Sequence, residues 1–551
     1  LEAAAMAVAR AGEVGLDLET TGLDPRTDRT RLVTVGAGGE SFVIDAFAVD
    51  PAPLWPALAQ KTLVGHNLAF DLGFLRPRDF TPEGALVDTM LLAGITTAGT
   101  PARLGLADCC ERWTDHRLDK TLQLSNWSRA LSADQIEYAA KDVAVLPALA
   151  ARLRDEVRSA GLERTAEIEA RALPALVWMS AAGVPFDAEK WLELADESER
   201  EAKAALELLH AAAPRDPDSL FDSDWNWNSP AQVAEALALA GCKVADTSDS
   251  TLAALDHPLA EALREYRGAS KLAQTYGRDW LKHVAADGRV YPSWWQLGAW
   301  SGRMACSDPN LQQIPRGRRR GCFAAPAGQL LVKADYSQIE LRIVAKMVGE
   351  KRMLEAYRRG DDLHLLTART VTGKDAVEKS DRQLAKALNF GLLYGMGAAG
   401  FRRYAKTNYG VVLSEQEAAG YREAFFATYP GLRRWHREVG RDREAPIETR
   451  TLFGRRRLQV VHFSEKLNTP VQGTGADGIK LALARLWETR RDCPGAFPIL
   501  AVHDEIVLEA PAEEAEAAST WLQKAMTDSL AGALAPAPVE TETTIARTWG
   551  A

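Results

Sequence analysis

The apolar and polar positions near the C-terminus predict two short strands joined by a turn. The apolar runs ILAV (499–502) and IVL (506–508) flank His503, Asp504 and Glu505. Apolar runs of this length around a short polar break are typical of a β-hairpin, and Asp is common in turns. Two adjacent carboxylates also repel each other unless a proton or a cation relieves them. The pattern therefore fits a plain turn and also fits a divalent-metal site.

Another acidic side chain lies at the end of a second predicted strand. The segment GQLLVKADYSQIELRIVAKMVG (328–349) predicts a strand ending at Asp335, then a helix in which Ile339, Ile343 and Met347 recur every four residues. An Asp at this position commonly caps the following helix. Together with the hairpin acids, it is a candidate ligand for two Mg²⁺ ions of the kind used in phosphoryl transfer.

The segment SDRQLAKALNFGLLYGMG (380–397) predicts a helix with cations and aromatic rings on one side. Ser380 and Gln383 have the spacing of a capping box at its start. A solvated face would carry the cations without the rings, and a core face would exclude the cations. A nucleotide site would use both, because cations bind phosphates and a ring packs on a sugar or base. The side chains that recur every four residues are Arg382, Lys386, Phe390 and Tyr394.

Three regions of the chain differ in pattern. Residues 1–155 alternate short β-like runs with helical stretches, as an α/β domain does. Residues 160–290 are largely helical and include a helix predicted to be capped by Ser229, with Pro230 in its first position. Strands and helices are mixed from residue 290 onwards. We therefore expect several domains.

Composition and charge narrow the class of protein. The 551 residues carry a net charge of -9 and include no apolar run of about 18 residues, so we expect no membrane partner. Nucleic acid would have to bind through local basic segments, for which 316–321, 401–406 and 453–458 are candidates, although solvated loops often look the same. The six cysteines lack paired CxxC spacing, which argues against a zinc site or a disulfide framework and favours a reducing cytoplasm.

The combination of motifs resembles one family. DYSQIELR, RQLAKALNFGLLYG and VHDEI, in this order, resemble motifs A, B and C of family A DNA polymerases, the group of bacterial DNA polymerase I. SGRMACSDPNLQQIP (301–315) and TPVQGTGADGIK (469–480) resemble two further segments of that family. The resemblance covers essentially the whole chain. It implies a template-directed polymerase that adds dNTPs to a primer 3′-hydroxyl.

The implied fold is a multidomain α/β and α+β protein, in which a ribonuclease H-like 3'-5' exonuclease domain precedes a right-hand polymerase with thumb, palm and fingers. The expected limits are an exonuclease domain at 1–155, a mostly helical connector and thumb at 156–290, a first palm segment at 291–345, fingers at 346–465 and a second palm segment at 466–551.

The resemblance also implies roles for single residues of the polymerase. Asp335 and Asp504 would hold two Mg²⁺ ions, with the backbone carbonyl of Tyr336 assisting and Glu505 in support. Glu340 would lie beneath the sugar and exclude a 2′-hydroxyl, which makes DNA the expected product. The residues implied to bind the incoming nucleotide are Gln338, Glu340, His364, Arg382, Lys386, Phe390 and Tyr394, with Lys386 also catalytic. Those implied to contact DNA are Arg303, Gln472 and His503 at the primer end, and Asn310 and Gln313 along the template.

The N-terminal region carries a second set of acidic residues. Asp17 and Glu19 are two apart on a predicted strand and so share a face, and Tyr138 and Asp142 are one helical turn apart. Each pattern alone is common on protein surfaces. With HNLAFD (66–71), which contains Asp71, they resemble the DEDDy 3'-5' exonucleases that proofread for this family. Asp17, Glu19, Asp71 and Asp142 would then bind two Mg²⁺ ions and Tyr138 would orient the attacking water, so we expect an active exonuclease.

The expected partners are primer–template DNA, dNTPs and Mg²⁺, with Mn²⁺ as an alternative metal. We expect a monomer that works in the cytoplasm on nucleoid DNA, without the insert that binds a processivity factor in some relatives. No segment corresponds to a 5′ nuclease, so the chain is read as a fragment or as a member that lacks one. Gln383 replaces an arginine common in motif B, and Phe390 predicts discrimination against dideoxynucleotides.

Two other functions fit part of the pattern. A single-subunit RNA polymerase would share the metal-binding acids, but Glu340 and the exonuclease motifs argue against it. A repair nuclease or DNA-binding scaffold could keep the polymerase fold without synthesis. Intact Asp335, Lys386 and Asp504 argue against that alternative.

Overall fold

A computed structural model of the protein describes residues 1–215, 225–441 and 444–551. These residues separate into two units. The first unit comprises Leu1–Gly183, Pro292–Gln312 and Gly328–Ala546. The second comprises Val184–Tyr291, Gln313–Ala327 and Arg547–Ala551. No helix within the described ranges has both the length and the apolar character that a membrane crossing requires.

Residues 1–183 form a five-stranded sheet of order β3-β2-β1-β4-β5 with helices packed on it. The strands β1, β2 and β3 pair antiparallel, whereas β4 pairs parallel with β1 and with β5. The strands are β1 Glu13–Thr20, β2 Thr30–Ala37, β3 Glu40–Asp45, β4 Thr62–Gly65 and β5 Leu86–Asp88. The helices are α1 Glu2–Arg10, α2 Trp55–Ala59, α3 Leu68–Leu75, α4 Thr89–Thr97, α5 Leu106–Trp113, α6 Ala133–Ala144, α7 Leu146–Ser159 and α8 Glu163–Ala182.

Two glycines bring α6 close to this sheet. A Cβ on Gly36 would lie 2.4 Å from Cγ1 of Val143, and a Cβ on Gly15 would lie 3.2 Å from the same atom. Gly36 lies on β2, Gly15 on β1 and Val143 on α6. A larger residue at position 36 would push the helix off the sheet, because neither partner has room to give. This close approach places the polar side chains of α6 over β1.

The second unit is mostly helical. Its elements are β6 Val184–Pro185, α9 Ala188–Ala212, α10 Pro230–Leu239, α11 Asp249–Leu252, α12 Pro258–Thr275 and β7 Arg289–Val290. The helix α10 begins as predicted, because the Ser229 hydroxyl accepts a hydrogen bond from the backbone N–H of Gln232 and Pro230 occupies the first turn. The long helices α9 and α12 pack along each other.

Residues 292–546 of the first unit contain a four-stranded sheet of order β13-β14-β10-β15 and the helices around it. The strands are β8 Ser293–Trp295, β9 Ala305–Ser307, β10 Gln329–Tyr336, β11 Ile447–Arg450, β12 Arg456–Val460, β13 Phe497–Val502, β14 Glu505–Pro511 and β15 Thr541–Ala546. The helices are α13 Ile339–Val348, α14 Lys351–Arg359, α15 Leu363–Thr372, α16 Lys379–Gly391, α17 Ala398–Tyr409, α18 Glu415–Thr428, α19 Pro430–Val439, α20 Phe463–Glu488 and α21 Ala515–Leu534. Shorter 3₁₀ turns occur at Ala52–Leu54, Arg76–Arg78, Arg278–His283, Leu311–Gln313 and Arg320–Cys322.

The structure corrects two local predictions. The capping box of α16 is formed by Glu378 and Asp381, not by Ser380 and Gln383, because Glu378 caps the helix two residues earlier. The hairpin turn consists of His503 and Asp504, since Glu505 already belongs to β14 and pairs with Val502. His503 adopts a φ of 57°, the left-handed conformation that two-residue hairpin turns require.

A buried cluster of four charges joins α8 to α20. The ammonium of Lys480 donates to Glu169 at 2.6 Å, Arg455 pairs with both Glu169 and Asp477, and all four side chains are at most 4% exposed. Burial lowers the pKa of Lys480 to about 8, which leaves it charged at neutral pH. Burial opposes ionisation of Glu169, but Lys480 and Arg455 outweigh it and lower the pKa of Glu169. Two cations and two anions are therefore neutralised inside the protein.

The basic segment 316–321 is used within the second unit. Arg319 is buried, donates to the Ser198 hydroxyl at 2.7 Å, and lies 5.0 Å from the ring centroid of Trp191. Arg318 pairs with Glu197 at 2.7 Å. The prediction of a nucleic-acid patch at 316–321 is therefore wrong for the buried Arg319, and for the exposed Arg318 it stays a prediction.

Candidate active sites

The strand register brings the three hairpin and strand-end acids together. Asp335 at the end of β10 pairs directly with Glu505 on β14. The backbone N–H of Tyr336 donates to the carbonyl of Asp504 at 3.2 Å. Sheet pairing therefore fixes Asp335, Asp504 and Glu505 at one end of a rigid antiparallel sheet, where the sequence predicted a metal site.

The electrostatics of Asp504 favour a bound cation. Burial, followed by the nearby Asp335 and Glu340, raises the pKa of Asp504 to about 6, and Arg303 offsets this in part. A carboxylate in such surroundings is stabilised by a proton or by a positive ion. Oxygen ligands on a rigid support are the ligands that Mg²⁺ prefers.

A cavity of about 350 Å³ opens beside Asp504. It brings together residues from five separate segments of the chain. The lining includes Arg303 from the loop before β9, Glu340 from α13, Phe390 from α16, Gln472 from α20, and His503 with Asp504 from the hairpin turn. All six were predicted from sequence to belong to one site, and the cavity places them in one.

Glu340 is held from two sides in this cavity. One of its oxygens accepts a hydrogen bond from the Tyr394 hydroxyl at 2.6 Å. The other accepts from the Arg303 guanidinium at 3.4 Å. Phe390, on α16, also lines the cavity. The helix ends at Gly391, so Tyr394 lies beyond it and not on the helix as predicted. This chain of contacts fixes the acid that was expected to test the sugar of an incoming nucleotide.

The remaining polar side chains of α16 lie on its partly exposed side. Arg382 donates to Asp362, the residue that caps α15, at 2.8 Å. Lys386 is partly exposed on the same side of the helix. His364 is buried, and its Nδ1 lies 2.8 Å from Nδ2 of Asn389. Burial lowers the pKa of His364 to about 4, so a role at a triphosphate would be that of a neutral hydrogen-bonding group.

The corner between β10 and α13 is braced by a residue that the sequence did not single out. Arg342 is buried, donates to the carbonyls of Ser337 at 3.0 Å and Pro538 at 2.5 Å, and pairs with Glu540. At this corner Gln338 adopts a φ of 51° and its side chain accepts from the Tyr357 hydroxyl at 3.3 Å. No periodic signal marks Arg342, because two of its three partners, Pro538 and Glu540, lie almost 200 residues away.

The predicted template residues are placed separately. Asn310 is exposed, and its side chain accepts from the backbone N–H of Gln312 at 3.0 Å. Gln312, which was not predicted, donates to the carbonyls of Met304 and Ala501 and so ties this loop to β13. Gln313 belongs to the second unit, where its carbonyl accepts from the Tyr276 hydroxyl at 2.7 Å.

A second acidic site lies on the N-terminal sheet. Asp17 and Glu19 from β1 and Asp142 from α6 each place a carboxylate oxygen within 4.8 Å of the others. Burial and the neighbouring Asp142 raise the pKa of Asp17 to about 7. Burial, with Asp17 and Asp142, raises the pKa of Glu19 to about 9. Such a cluster suits a divalent cation, which would hold all three carboxylates ionised.

Asp71 reaches the same region from α3. Its Oδ1 accepts a hydrogen bond from the backbone N–H of Leu18, between Asp17 and Glu19, at 3.0 Å. Burial and the charge of Asp17 raise its pKa well above the usual value. The sequence missed Asp88, a buried acid that caps α4 and accepts from the backbone N–H groups of Asn67 and Leu68. Asp88 therefore anchors the start of α3, the helix that carries Asp71.

Tyr138 and Asp142 share a cation that the sequence analysis did not identify. The Lys120 ammonium donates to Oδ2 of Asp142 at 2.5 Å and to the Tyr138 hydroxyl at 3.1 Å. Tyr138 itself is buried, and burial with the nearby acids raises the pKa of its hydroxyl. Tyr138, Asp142 and the β1 acids are thus brought together as predicted.

Two family models match the chain. The model described as "DNA polymerase family A" matches residues 194–551, and the model described as "3'-5' exonuclease" matches residues 1–158. Together they divide the chain into an exonuclease domain followed by a polymerase domain. The two acidic sites fall one in each match.

Several curated proteins are similar to this chain. DNA polymerase I of Aquifex aeolicus (strain VF5) is 34% identical over 97% of this chain and 95% of its own length. DNA polymerase I of Helicobacter pylori (strain ATCC 700392 / 26695) is 29% identical over 89% of this chain, which spans 56% of that relative. The thermostable DNA polymerase I of Thermus aquaticus is 37% identical over 55% of this chain and 38% of its own length.

A solved structure shares the fold. The structure described as "POL domain of Pol1 from M. smegmatis complex with DNA primer-template and dNTP" aligns with a TM-score of 0.82 over 98% of this chain and 96% of that one. The sequence identity is 24%. The similarity therefore extends across both matched regions at the level of the fold.

Proposed function

The chain belongs to DNA polymerase family A and carries a 3'-5' exonuclease domain, and on that premise we propose that it extends a primer along a DNA template and proofreads the new 3′ end at a separate site. The observation that carries the proposal is the cavity beside Asp504, where side chains from five segments meet around an acidic strand end. This arrangement supports active DNA synthesis over the alternative of a polymerase fold that no longer synthesises DNA.

The strand-end acids suit two divalent ions. Asp335, Asp504 and the Tyr336 carbonyl would hold two Mg²⁺ ions, or Mn²⁺, and Glu505 would support them. The fit rests on the pKa of Asp504, which burial and then its acidic neighbours raise to about 6. Bound there, the ions would supply the positive charge that activates the primer hydroxyl and stabilises the pyrophosphate leaving group. The protein's own part is to keep both carboxylates fixed on paired strands.

The partly exposed side of α16 would bind the incoming dNTP. Arg382 and Lys386 would contact its phosphates, Lys386 would neutralise charge developing on the leaving group, and Phe390 would pack on the sugar. Gln338 and His364 would complete this contact, the latter as a neutral donor. The Arg382–Asp362 pair would have to open or shift for the phosphates to bind.

Glu340 would select deoxyribose. Its two oxygens are already held by Tyr394 and Arg303, so it cannot turn away from an added 2′-hydroxyl without losing both contacts. Displacing a partly buried acid from such partners costs the free energy of both hydrogen bonds. This supports DNA over RNA as the product and disfavours the RNA polymerase alternative.

The primer end of the DNA would be bound at the cavity of the first unit. Arg303, Gln472 and His503 line the cavity and would contact the minor groove at the primer end. Asn310 and Gln313 would lie along the template. In this proposal the second unit provides the thumb, the sheet carrying Asp335 is the palm, and residues 346–465, from α14 to β12, are the fingers. The protein would act as a monomer in DNA replication or repair.

The exonuclease site would hydrolyse the terminal phosphodiester. Asp17, Glu19, Asp71 and Asp142 would hold two divalent ions, and the raised pKa values of the first three support the fit. Tyr138 would orient the attacking water through its hydroxyl. The protein's part is to keep the hydroxyl and the acids in register on α6 and β1.

The experiment that tests this proposal uses a labelled primer on a recessed template with Mg²⁺, with and without dNTPs. The parent should extend the primer when dNTPs are present and shorten it when they are absent. Asp504→Ala should lose extension and keep shortening, and Asp17→Ala with Glu19→Ala should do the reverse. Loss of both activities from either change alone would contradict two independent sites. Shortening without any extension by the parent would leave only a nuclease.

A further inference from the structure

The loop between α5 and α6 contributes a cation to the exonuclease site. Lys120, in this loop, places its ammonium 2.5 Å from Oδ2 of Asp142 and 3.1 Å from the Tyr138 hydroxyl. The same ammonium lies 5.0 Å from the centroid of the Tyr138 ring. Its side chain is 23% exposed, which leaves one side open to a ligand. Lys120 therefore contacts two of the five residues expected to act on the phosphodiester.

Packing holds this loop against Tyr138. Trp127 is buried, and its ring centroid lies 6.2 Å from that of Tyr138. Leu122 packs on the same small apolar cluster. The Gln135 side chain, at the start of α6, donates to the Ser125 hydroxyl at 2.9 Å. Lys120 is thus carried by an anchored loop that packs on the same helix it contacts.

The direction of the hydrogen bond matters for the chemistry. An ammonium is a donor only, so the Tyr138 hydroxyl accepts from Lys120 and must direct its own proton elsewhere. A tyrosine fixed in this way directs its O–H away from Lys120, and in this structure the Asp142 carboxylate is a hydrogen-bond partner of that hydroxyl. The positive charge also lies among four acids, where an anionic phosphodiester would otherwise be repelled.

We propose that Lys120 is a positioning residue of the 3'-5' exonuclease reaction, which orients the Tyr138 hydroxyl and offers positive charge to the phosphodiester of the unpaired 3′ strand. This inference rests on the proposed exonuclease function of the same site. Groups that orient a catalytic side chain commonly change activity by roughly 10- to 100-fold when removed. Neither the acidic motifs nor their spacing identifies Lys120, which lies 18 residues before Tyr138 in an irregular segment.

The test compares shortening of a labelled single-stranded oligonucleotide by the parent, Lys120→Ala and Lys120→Arg. Lys141→Ala is the matched control, because Lys141 lies on α6, the helix that carries Tyr138 and Asp142, but pairs with exposed Glu137. Lys120→Ala should shorten the oligonucleotide roughly 10- to 100-fold more slowly, as for other positioning groups. Lys120→Arg should recover part of the rate, and Lys141→Ala should match the parent. All variants should extend a matched primer at the parental rate.

A double-mutant cycle separates positioning from a structural effect. In a Tyr138→Phe background the hydroxyl is absent, so replacing Lys120 by alanine should slow shortening much less than it does in the parent. Thermal unfolding in EDTA gives a readout that needs neither metal nor turnover. Lys120→Ala should unfold in a single cooperative transition, which would show that the variant is folded. Should it not fold, Lys120→Gln takes its place in the cycle.

The outcomes distinguish failure of the proposed exonuclease function from failure of the proposed role of Lys120. A parent that extends primers but never shortens them would overturn the exonuclease function, and this inference with it. A parent that shortens normally while Lys120→Ala shortens equally fast would overturn only the role of Lys120. An equal loss in the Tyr138→Phe background, or an arginine variant no better than alanine, would likewise overturn the positioning role.

Discussion

Replacing Glu169 by glutamine tests the buried charge cluster and its link to the polymerase cavity. Glu169 is 1% exposed and accepts from Lys480 at 2.6 Å, while Arg455 contacts both Glu169 and Asp477. At that distance the attraction between Glu169 and Lys480 is about 6 kcal/mol for an effective dielectric of about 20, before the cost of desolvation is subtracted. Glu169→Gln keeps the shape but leaves two cations sharing one carboxylate.

Removing one partner of a buried ion pair generally costs about 3–5 kcal/mol, and we expect Glu169→Gln to lower the free energy of unfolding by that amount. Glu167→Gln is the matched control, because Glu167 lies two residues away on α8 and its pairs with Arg164 and Arg171 are largely exposed. Its expected effect is roughly 0–1 kcal/mol. Urea unfolding followed by circular dichroism compares the two variants.

The same substitution should weaken primer extension. A Cβ on Gly302 would lie 2.6 Å from the Arg455 side chain, so Arg455 packs directly against Gly302. The next residue, Arg303, lines the cavity. Combining Glu169→Gln with Lys480→Met removes the uncompensated cation and should restore much of the lost stability. The reasoning would be refuted by a Glu169→Gln shift no larger than that of Glu167→Gln.

Three further predictions concern the two active sites. Phe390→Tyr should incorporate dideoxynucleotides more readily than the parent in a chain-termination assay, and unchanged termination would remove Phe390 from the sugar site. Glu340→Ala should raise ribonucleotide incorporation relative to dNTPs at equal concentration; a constant ratio would count against the sugar gate. In EDTA, the stability contributed by Asp17 and Glu19 is present below their usual pKa values of 3.8 and 4.5 and is lost as the pH rises through about 7 and about 9. The unfolding temperature should therefore fall over that range less steeply in Glu19→Gln than in the parent, and parallel curves would contradict the raised pKa of Glu19.

The sequence predicted the features that depend on the local alternation of apolar and polar residues and on the order of motifs along the chain. The alternation around Asp17 and Glu19 placed both acids on one face of β1, and the apolar runs around Asp504 predicted the hairpin. These patterns suffice because strand pairing transmits them directly into three dimensions. The register of β10 against β14 then brings Asp335 beside Glu505 without any further information.

Contacts between distant segments could not be predicted in the same way. Lys480 and Glu169 are 311 residues apart, and Tyr394 and Glu340 are 54 apart. Each pair depends on how distant segments pack together, which no short sequence window records. The start of α16 was predicted wrongly for a local reason, since Glu378 competes with Ser380 as a cap and satisfies the first turn two residues earlier.

The central claim is that one chain synthesises DNA at Asp504 and corrects it at Asp17. The most direct measurement follows a labelled primer with a mismatched 3′ nucleotide on a template, in Mg²⁺ with all four dNTPs, and sequences the extended product. The parent should yield extended primer with the mismatch replaced, and Asp17→Ala with Glu19→Ala should extend far less and retain the mismatch. Equal yields of uncorrected product from both proteins would contradict the account.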